Sequence, residues 1–475
     1  MDSRIVDFLK SKNVKVITDD TPNQIEVWKQ WYRGEVDGFH KYYLYNGSNK
    51  VPARRLSLNM GETVAQNWAD LALNEKVKFN CDDDYTLQVL NNLLSQTNFY
   101  VKGNNLIESA FALGGGFFIQ YWDGERVSQK YVTQDFAYPI TYNNEGITEC
   151  AFGSERTVAN QKLLYVEVHT RNEQGYYTID NYLLEENKKS IKEVPQSFYE
   201  QNNISQKVKT NRTTPSFQFI RPNKCNKRNL DSPFGVSVYA GATDCLKACD
   251  MTFDGYYKEI YLGRKRIFVK DGVTKFNIDP KTGKQSQVFD AEDEVFYKVP
   301  DDDEGNPITE SNMSLRINEF DTAMQSQLNI LSQKCGFGNN HFKWENGNVS
   351  TATQIISENS DMYRTLKKHE ILIRQAVVDM AKSLLWYEAT FNEDNQINLD
   401  ATITVDFDDS IIEDTAEIKR QALTDYNAGL ISKAEYFRMI YKYDDEQAKK
   451  YVEKMAEERN EEMQLEVVEE EPEME

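Results

Sequence analysis

Histidine is scarce in this chain of 475 residues. Its four copies, at positions 40, 169, 341 and 369, have no second histidine or cysteine at zinc-ligand spacing. No metal centre is expected from them. Cysteine is almost as thin. The six, at 81, 150, 225, 245, 249 and 335, follow no framework spacing, which excludes a disulfide scaffold and fits free thiols in a reducing compartment. No apolar run approaches the roughly 20 residues of a membrane span. The longest apolar-leaning stretch, residues 110–119, contains three glycines, and Met1-Asp2-Ser3-Arg4 opens no signal core. The expectation is a chain made in the cytosol with no membrane partner.

Nucleotide cradles are missing too. Gly114-Gly115-Gly116 lacks the Gly-x4-Gly-Lys-Ser/Thr pattern of a phosphate loop and leads toward a strand, so it reads as a helix stop. Gly283-Lys284 is followed by Gln285 and has Ile278 where the earlier glycine would stand. No cofactor is expected. Basic charge is in deficit: 55 Lys and Arg face 76 Asp and Glu, a net charge of −21, which argues against a protein that grips nucleic acid tightly. Residues 457–475 hold ten Glu and one Arg and read as a frayed helix running into a solvated acidic tail.

What is present is enough apolar material, 40% with 12% aromatic, to build substantial cores. Its pattern predicts an α+β chain of several domains. Residues 1–234 read as mixed α+β. Helices flank an aromatic connection with Trp28, Trp31, Tyr32, Phe39, Tyr42, Tyr43 and Tyr45, and Met60 to Leu73 forms a helix with Trp68 in its core face. A further helix runs from Asp84 to Leu113. Strand-like runs follow at Phe117 to Trp122, Arg126 to Val132, Leu163 to Thr170, Gly175 to Leu184 and Phe217 to Arg221.

After Ser232-Pro233-Phe234-Gly235 the pattern changes to long helices. The first, Val236 to Leu262, sets Val238, Ala242, Cys245, Cys249, Phe253, Tyr256 and Ile260 on one stripe. A second helix, Asn318 to Cys335, follows after a polar, turn-rich insertion over 263–317 that reads as a small α/β module at the tip of a helical shaft. A connecting loop over 336–350 carries Asn339, Asn340, His341, Phe342, Lys343 and Trp344 and exceeds most helix connections in length. Thr351 to Phe391 then contains no glycine or proline and predicts a helix roughly 60 Å long, with Thr351 and Gln354 at capping-box spacing. Ile403, Val405 and Phe407 alternate with polar residues as one strand returning to the sheet domain. Residues 412–456 are helical again, broken at Asn427-Ala428-Gly429 and restarted by Ser432 with Glu435.

One carboxylate cluster invites an enzymatic reading. Asp406, Asp408 and Asp409 could serve a magnesium-dependent nuclease. Strand alternation places Asp406 and Asp408 on the outer face, and Asp409 suits a helix cap, so a structural role is the stronger reading. Cys245 and Cys249 share a helix face without partners and read as core.

Several segments, in order, resemble one family. These are Trp31-Tyr32-x-Gly34, Arg55-Leu56-Ser57-Leu58-Asn59-Met60, Trp68-Ala69-Asp70-Leu71, Asn74-Glu75-Lys76 and Ser232-Pro233-Phe234-Gly235-Val236-Ser237. Later come Glu259 with Gly263-Arg264-Lys265-Arg266-Ile267, then Leu331-Ser332-Gln333-Lys334-Cys335-Gly336, and Thr351-Ala352-Thr353. Together they resemble the portal proteins of tailed double-stranded DNA bacteriophages, of the long-tailed type with Gram-positive hosts.

The resemblance implies a wing (1–234), stem helices (235–262 and 318–335), a clip (263–317) and a channel loop (336–350). A long wing helix with its return strand (351–411), crown helices (412–456) and the acidic tail would complete the chain. It implies a structural protein, not an enzyme. Such proteins form a ring, usually of twelve subunits, at one capsid vertex, assembled in the host cytoplasm among major capsid and scaffolding proteins. DNA is packaged and ejected through the channel, the large terminase subunit docks on the clip, and head-completion or adaptor proteins replace it. The residues carried over are Asn339, Asn340 and Lys343, expected to touch DNA briefly without regard to sequence. Val238, Ala242, Cys249, Phe253, Tyr256 and Ile260 are expected to pack between stems of neighbouring subunits. A different head-tail connector ring is the alternative within the same structural class.

Overall fold

The computed structural model describes residues 2–47, 49–73, 77–143, 146–187, 190–202, 204–270, 276–278, 280–283, 285–287, 296–300, 306, 308–311, 313–344, 352–394, 396–407, 415–441, 448–452 and 454–455. The chain divides into two compact units, Met1–Asn348 with Asp361–Phe407, and Val349–Ser360 with Asp408–Glu475.

The first unit mixes helix and sheet. Its large antiparallel sheet runs in the order Ser190–Glu193, Tyr177–Asn187, Gln161–Arg171, Gly146–Val158, Ala137–Asn143, with Lys207–Lys209 also paired to Tyr177–Asn187. Strand alternation divides its side chains between two faces. Tyr138, Ala151, Val166 and Val168 meet Ile5 and Leu9 of the helix Ser3–Ser11. Ala137, Cys150 and Phe152 meet Phe117, Ile119 and Phe217 of a second, three-stranded sheet ordered Phe217–Ile220, Gly116–Trp122, Val127–Thr133. The strands 137–143 and 146–158 had no signal in the alternation above.

Three local readings change. The expected helix from Asp84 to Leu113 is two helices, Asp84–Gln96 and Phe99–Leu113, because Asn98 adopts φ +53° and the Thr97 hydroxyl donates back to the Leu93 carbonyl at 2.8 Å. Gly114 then ends the second helix at φ +100°, as expected of a left-handed cap. Trp28 and Trp31 sit buried on the helix Thr21–Tyr32, which also carries Tyr32; Phe39 lies in the turn that follows, and Tyr42, Tyr43 and Tyr45 stand on a β-hairpin, Lys41–Asn46 with Asn49–Arg54. The return strand Ile403–Asp406 pairs antiparallel with Lys78–Cys81 and joins neither larger sheet.

The shaft exists, with one end shorter than expected. Its first helix spans Thr243–Leu262 and its second Ile317–Cys335. Residues 236–242 are turn and irregular backbone tied to its surroundings. Val238 donates its N–H to the Phe111 carbonyl at 2.9 Å, Ala242 donates to Tyr239 at 2.8 Å, and the Tyr239 hydroxyl donates to the Trp28 carbonyl at 2.9 Å.

Between the shaft helices, Arg266–Lys270 pairs parallel with Phe296–Val299 and antiparallel with Ile308–Ser311, beside the hairpin Phe276–Ile278 with Gln285–Gln287. Among the described residues this insertion is strand and turn. The helix that the α/β reading expected is not among them. The long helix spans Ala352–Phe391, as its composition predicts; Thr351, its expected cap, lies outside the described residues.

In the second unit the helices Thr415–Asn427 and Lys433–Tyr441 are separated at Gly429, φ +72°. Ser432 caps the latter by accepting the Glu435 N–H at 3.1 Å, while the Glu435 carboxylate turns to Arg438 at 2.8 Å, so only half of the capping box forms. Phe437 is buried with its ring 5.5 Å from Tyr451. The acidic tail, 457–475, lies outside the described residues.

Candidate functional site

Within the first unit, the shaft is fastened to the Arg55-to-Asn59 segment by carboxylates that the apolar stripe did not reveal. Asp250 and Asp254, one helical turn apart, are buried. Asp250 accepts the Leu58 N–H at 2.7 Å and the Ser57 hydroxyl at 3.2 Å, and Asp254 accepts the Leu56 N–H at 3.1 Å. They therefore hold the Arg55-to-Asn59 segment against the helix. His40 completes the cluster. Its Nδ1 accepts the Val36 N–H at 2.8 Å, so the ring proton resides on Nε2 and is donated to Asp250 at 2.8 Å. The only sequence signal for this cluster was Asp at i and i+4 with Lys258 four residues on, whose ammonium bonds Asp254 at 2.6 Å.

Of the six stem-packing candidates, the structure buries three inside this one chain. Val238 and Ala242 precede the helix and Cys249 faces inward, its thiol pushed up to about 12 by burial. Phe253 and Tyr256 are half-buried, each with its ring 6.4 Å from that of Trp344. Ile260 is exposed, as are Met251, Tyr257, Tyr261 and Leu262. Of the expected stripe, Ile260 alone belongs to this exposed apolar set. Gly255 lets the second shaft helix approach: a Cβ there would lie 3.0 Å from the Phe320 ring. Glu259 clasps Arg316 through bonds of 3.1 and 2.6 Å where the insertion leaves and returns.

The loop after the second helix is built rather than loose over its described part, 336–344. Gly336, at φ +92°, ends the helix. Phe337 stacks on Trp68 with centroids 4.2 Å apart, and His341 stacks on Phe337 at 4.3 Å. Burial pushes the His341 imidazole below its usual range. Trp68 donates its indole N–H to the Cys335 carbonyl at 3.1 Å, and the Ser332 hydroxyl donates to the Gly338 carbonyl at 2.6 Å. Gln325 bridges the loop, donating to the Phe342 carbonyl at 3.0 Å and accepting the Trp344 N–H at 2.8 Å. Trp344 also donates its indole N–H to Asp321 at 3.0 Å.

Of the three loop candidates, Lys343 is exposed. Asn339 is exposed and its side chain accepts from Gln333; Asn340 is half-buried at φ +60°. Residues 345–350 lie outside the described ones. Gln325 and Trp344, which position the loop, carried no sequence signal beyond the aromatic character of the latter.

In the carboxylate cluster, Asp406 accepts from the Asn80 side chain at 2.6 Å, and Asp408 and Asp409 lie outside the described residues. Among the described residues no group of His, Cys, Asp or Glu is arranged to hold a metal ion, and no helix is long and apolar enough to cross a membrane.

A family model described as "Phage portal protein, SPP1 Gp6-like" matches residues 12–465. No curated protein sequence matches the chain. Among solved structures, a chain of "Neck of native GTA particle computed with C12 symmetry" is similar, with 12% identity and a TM-score of 0.40 over 80% of this chain and 88% of that one.

Proposed function

Because the chain belongs to the SPP1 Gp6-like phage portal protein family, a structural and not an enzymatic one, we propose that it forms a homo-oligomeric ring at one capsid vertex and conducts double-stranded DNA during packaging and ejection. The observation that carries this reading is the family match from residue 12 to residue 465. Two features support it. A two-helix shaft bears a strand-rich insertion, which in this reading is the clip where the large terminase subunit docks and head-completion proteins follow. Beside the shaft a loop anchored by Trp68, Phe337, Gln325 and Trp344 leaves Lys343 exposed.

The charge suits the task. DNA must slide through a channel, so a net charge of −21 keeps phosphate contact weak, while one lysine per subunit supplies a band of brief, sequence-independent contacts around the ring. Subunit packing is assigned to the exposed lower shaft, Tyr257, Ile260 and Tyr261, with Phe253 and Tyr256 bracing it from within. Electron-microscopy class averages of the purified protein with a short DNA duplex test the reading. It expects rings with axial density that disappears at high salt; rings without an open channel would refute it.

A further inference from the structure

The two strands of the hairpin 41–54 pair only with each other among the described strands, and beyond its base its apolar side chains are exposed on both faces. Tyr43, Leu44, Tyr45 and Val51 are 64%, 54%, 69% and 43% exposed. A two-stranded ribbon standing alone in water is marginally stable at best. Here its base is secured. Lys258 of the shaft donates to the Tyr42 hydroxyl at 3.2 Å, the Arg55 guanidinium lies 4.9 Å from the Tyr42 ring, and Arg55 donates its N–H to the carbonyl of His40, itself held by Asp250. A fixed base with an uncovered tip is a preorganised arm.

The register sorts the arm into two chemistries. Tyr43 opposes Pro52 and Tyr45 opposes Lys50, whose ammonium lies about 6 Å from both tyrosine rings, so this face is aromatic and basic. Leu44 opposes Val51 on the other face, which is apolar. The hairpin carries Lys41, Lys50 and Arg54 and no acidic residue, in a chain whose net charge is −21.

We propose that this arm docks onto a second copy of the chain, seating Leu44 and Val51 on apolar surface and Tyr43, Tyr45 and Lys50 against carboxylates. The inference rests on the ring reading above. DNA would satisfy the basic face but leave the apolar one uncovered, whereas a protein surface covers both, and every neighbour in a homo-oligomer offers an acidic one. Tyrosine-rich apolar centres with charged margins are the usual composition of such contacts.

The test compares parent protein with the Leu44→Ser, Val51→Ser double variant by native mass spectrometry over a concentration series, with circular dichroism to confirm that the variant folds. In a parallel measurement, benzoylphenylalanine replaces Tyr45 in the otherwise unaltered chain, and isotope-labelled and unlabelled copies are mixed, with duplex DNA present, before photolysis. The proposal expects a folded variant whose assembly midpoint rises by about tenfold or more, and cross-links joining labelled to unlabelled chains. A folded variant that assembles at the parental concentration, or cross-links confined to one copy or to DNA, overturns the arm while leaving the ring standing. A parent that never assembles overturns the ring reading and the arm with it.

Discussion

Asp250 of the shaft and His40, 210 residues earlier, form a buried hydrogen bond of 2.8 Å that ties the shaft to the segment before the hairpin. Asp250 also accepts the Leu58 N–H, so its two oxygens are both committed. Asp250→Asn would set an amide N–H₂ against the Nε2 proton of a ring whose Nδ1 must keep accepting from Val36. The expected loss is about 2–4 kcal/mol, because a buried donor is left unpaired. Denaturant unfolding followed by tryptophan fluorescence checks it.

Gly114 and Gly235 cross backbone to backbone. A Cβ on Gly235 would lie 1.9 Å from the Gly114 carbonyl oxygen, and that oxygen belongs to backbone that cannot swing aside. Gly235→Ala should destabilise by about 3 kcal/mol or more. It should also release the turns at 236–242 that delay the shaft helix, raising amide exchange at Val238. Hydrogen exchange by mass spectrometry reads both effects.

His169 is buried edge-on to Phe152 and Phe217, and neither ring nitrogen has a hydrogen-bond partner among the described residues. Burial lowers its pKa from the usual 6.5 to about 4, with Glu167 raising it and Lys130 lowering it by smaller amounts. The neutral ring's contribution is therefore fully present above pH 6.5 and is lost as the pH falls toward 4, where the unfolded chain binds the proton first. That contribution is on the order of 3 kcal/mol across the window. His169→Leu should keep the stability at pH 7 and flatten the slope between pH 6.5 and 4 in thermal melts.

Lys343 is the test of the channel loop. Lys343→Glu should leave assembly intact and weaken duplex retention several-fold at low salt, with the difference vanishing as salt screens the contact. Fluorescence anisotropy of a labelled duplex across a salt series measures it. A variant that retains duplex as the parent does would remove Lys343 from the contact.

Helices were legible where one face repeats without interruption. Ala352–Phe391 and Ile317–Cys335 match their patterns nearly to the residue, and Gly114 and Gly336 act as the stops their positions imply. The start of the shaft was not legible, since Val238 and Ala242 have helical spacing yet are held in turns by Phe111 and Tyr239, partners that periodicity cannot see. The same limit hid the carboxylate fastening. Asp250 and Asp254 look like solvent-facing residues until the Arg55-to-Asn59 backbone supplies their donors. For the loop, Lys343 was identifiable as an exposed cation, but its rigidity depends on Trp68 and Gln325, distant in sequence.

The mass and symmetry of the purified protein, by light scattering with image class averages across salt and protein concentration, test the central claim most directly. The account predicts a closed ring of about a dozen subunits around an open channel. A monomer or dimer that persists across all conditions would contradict it.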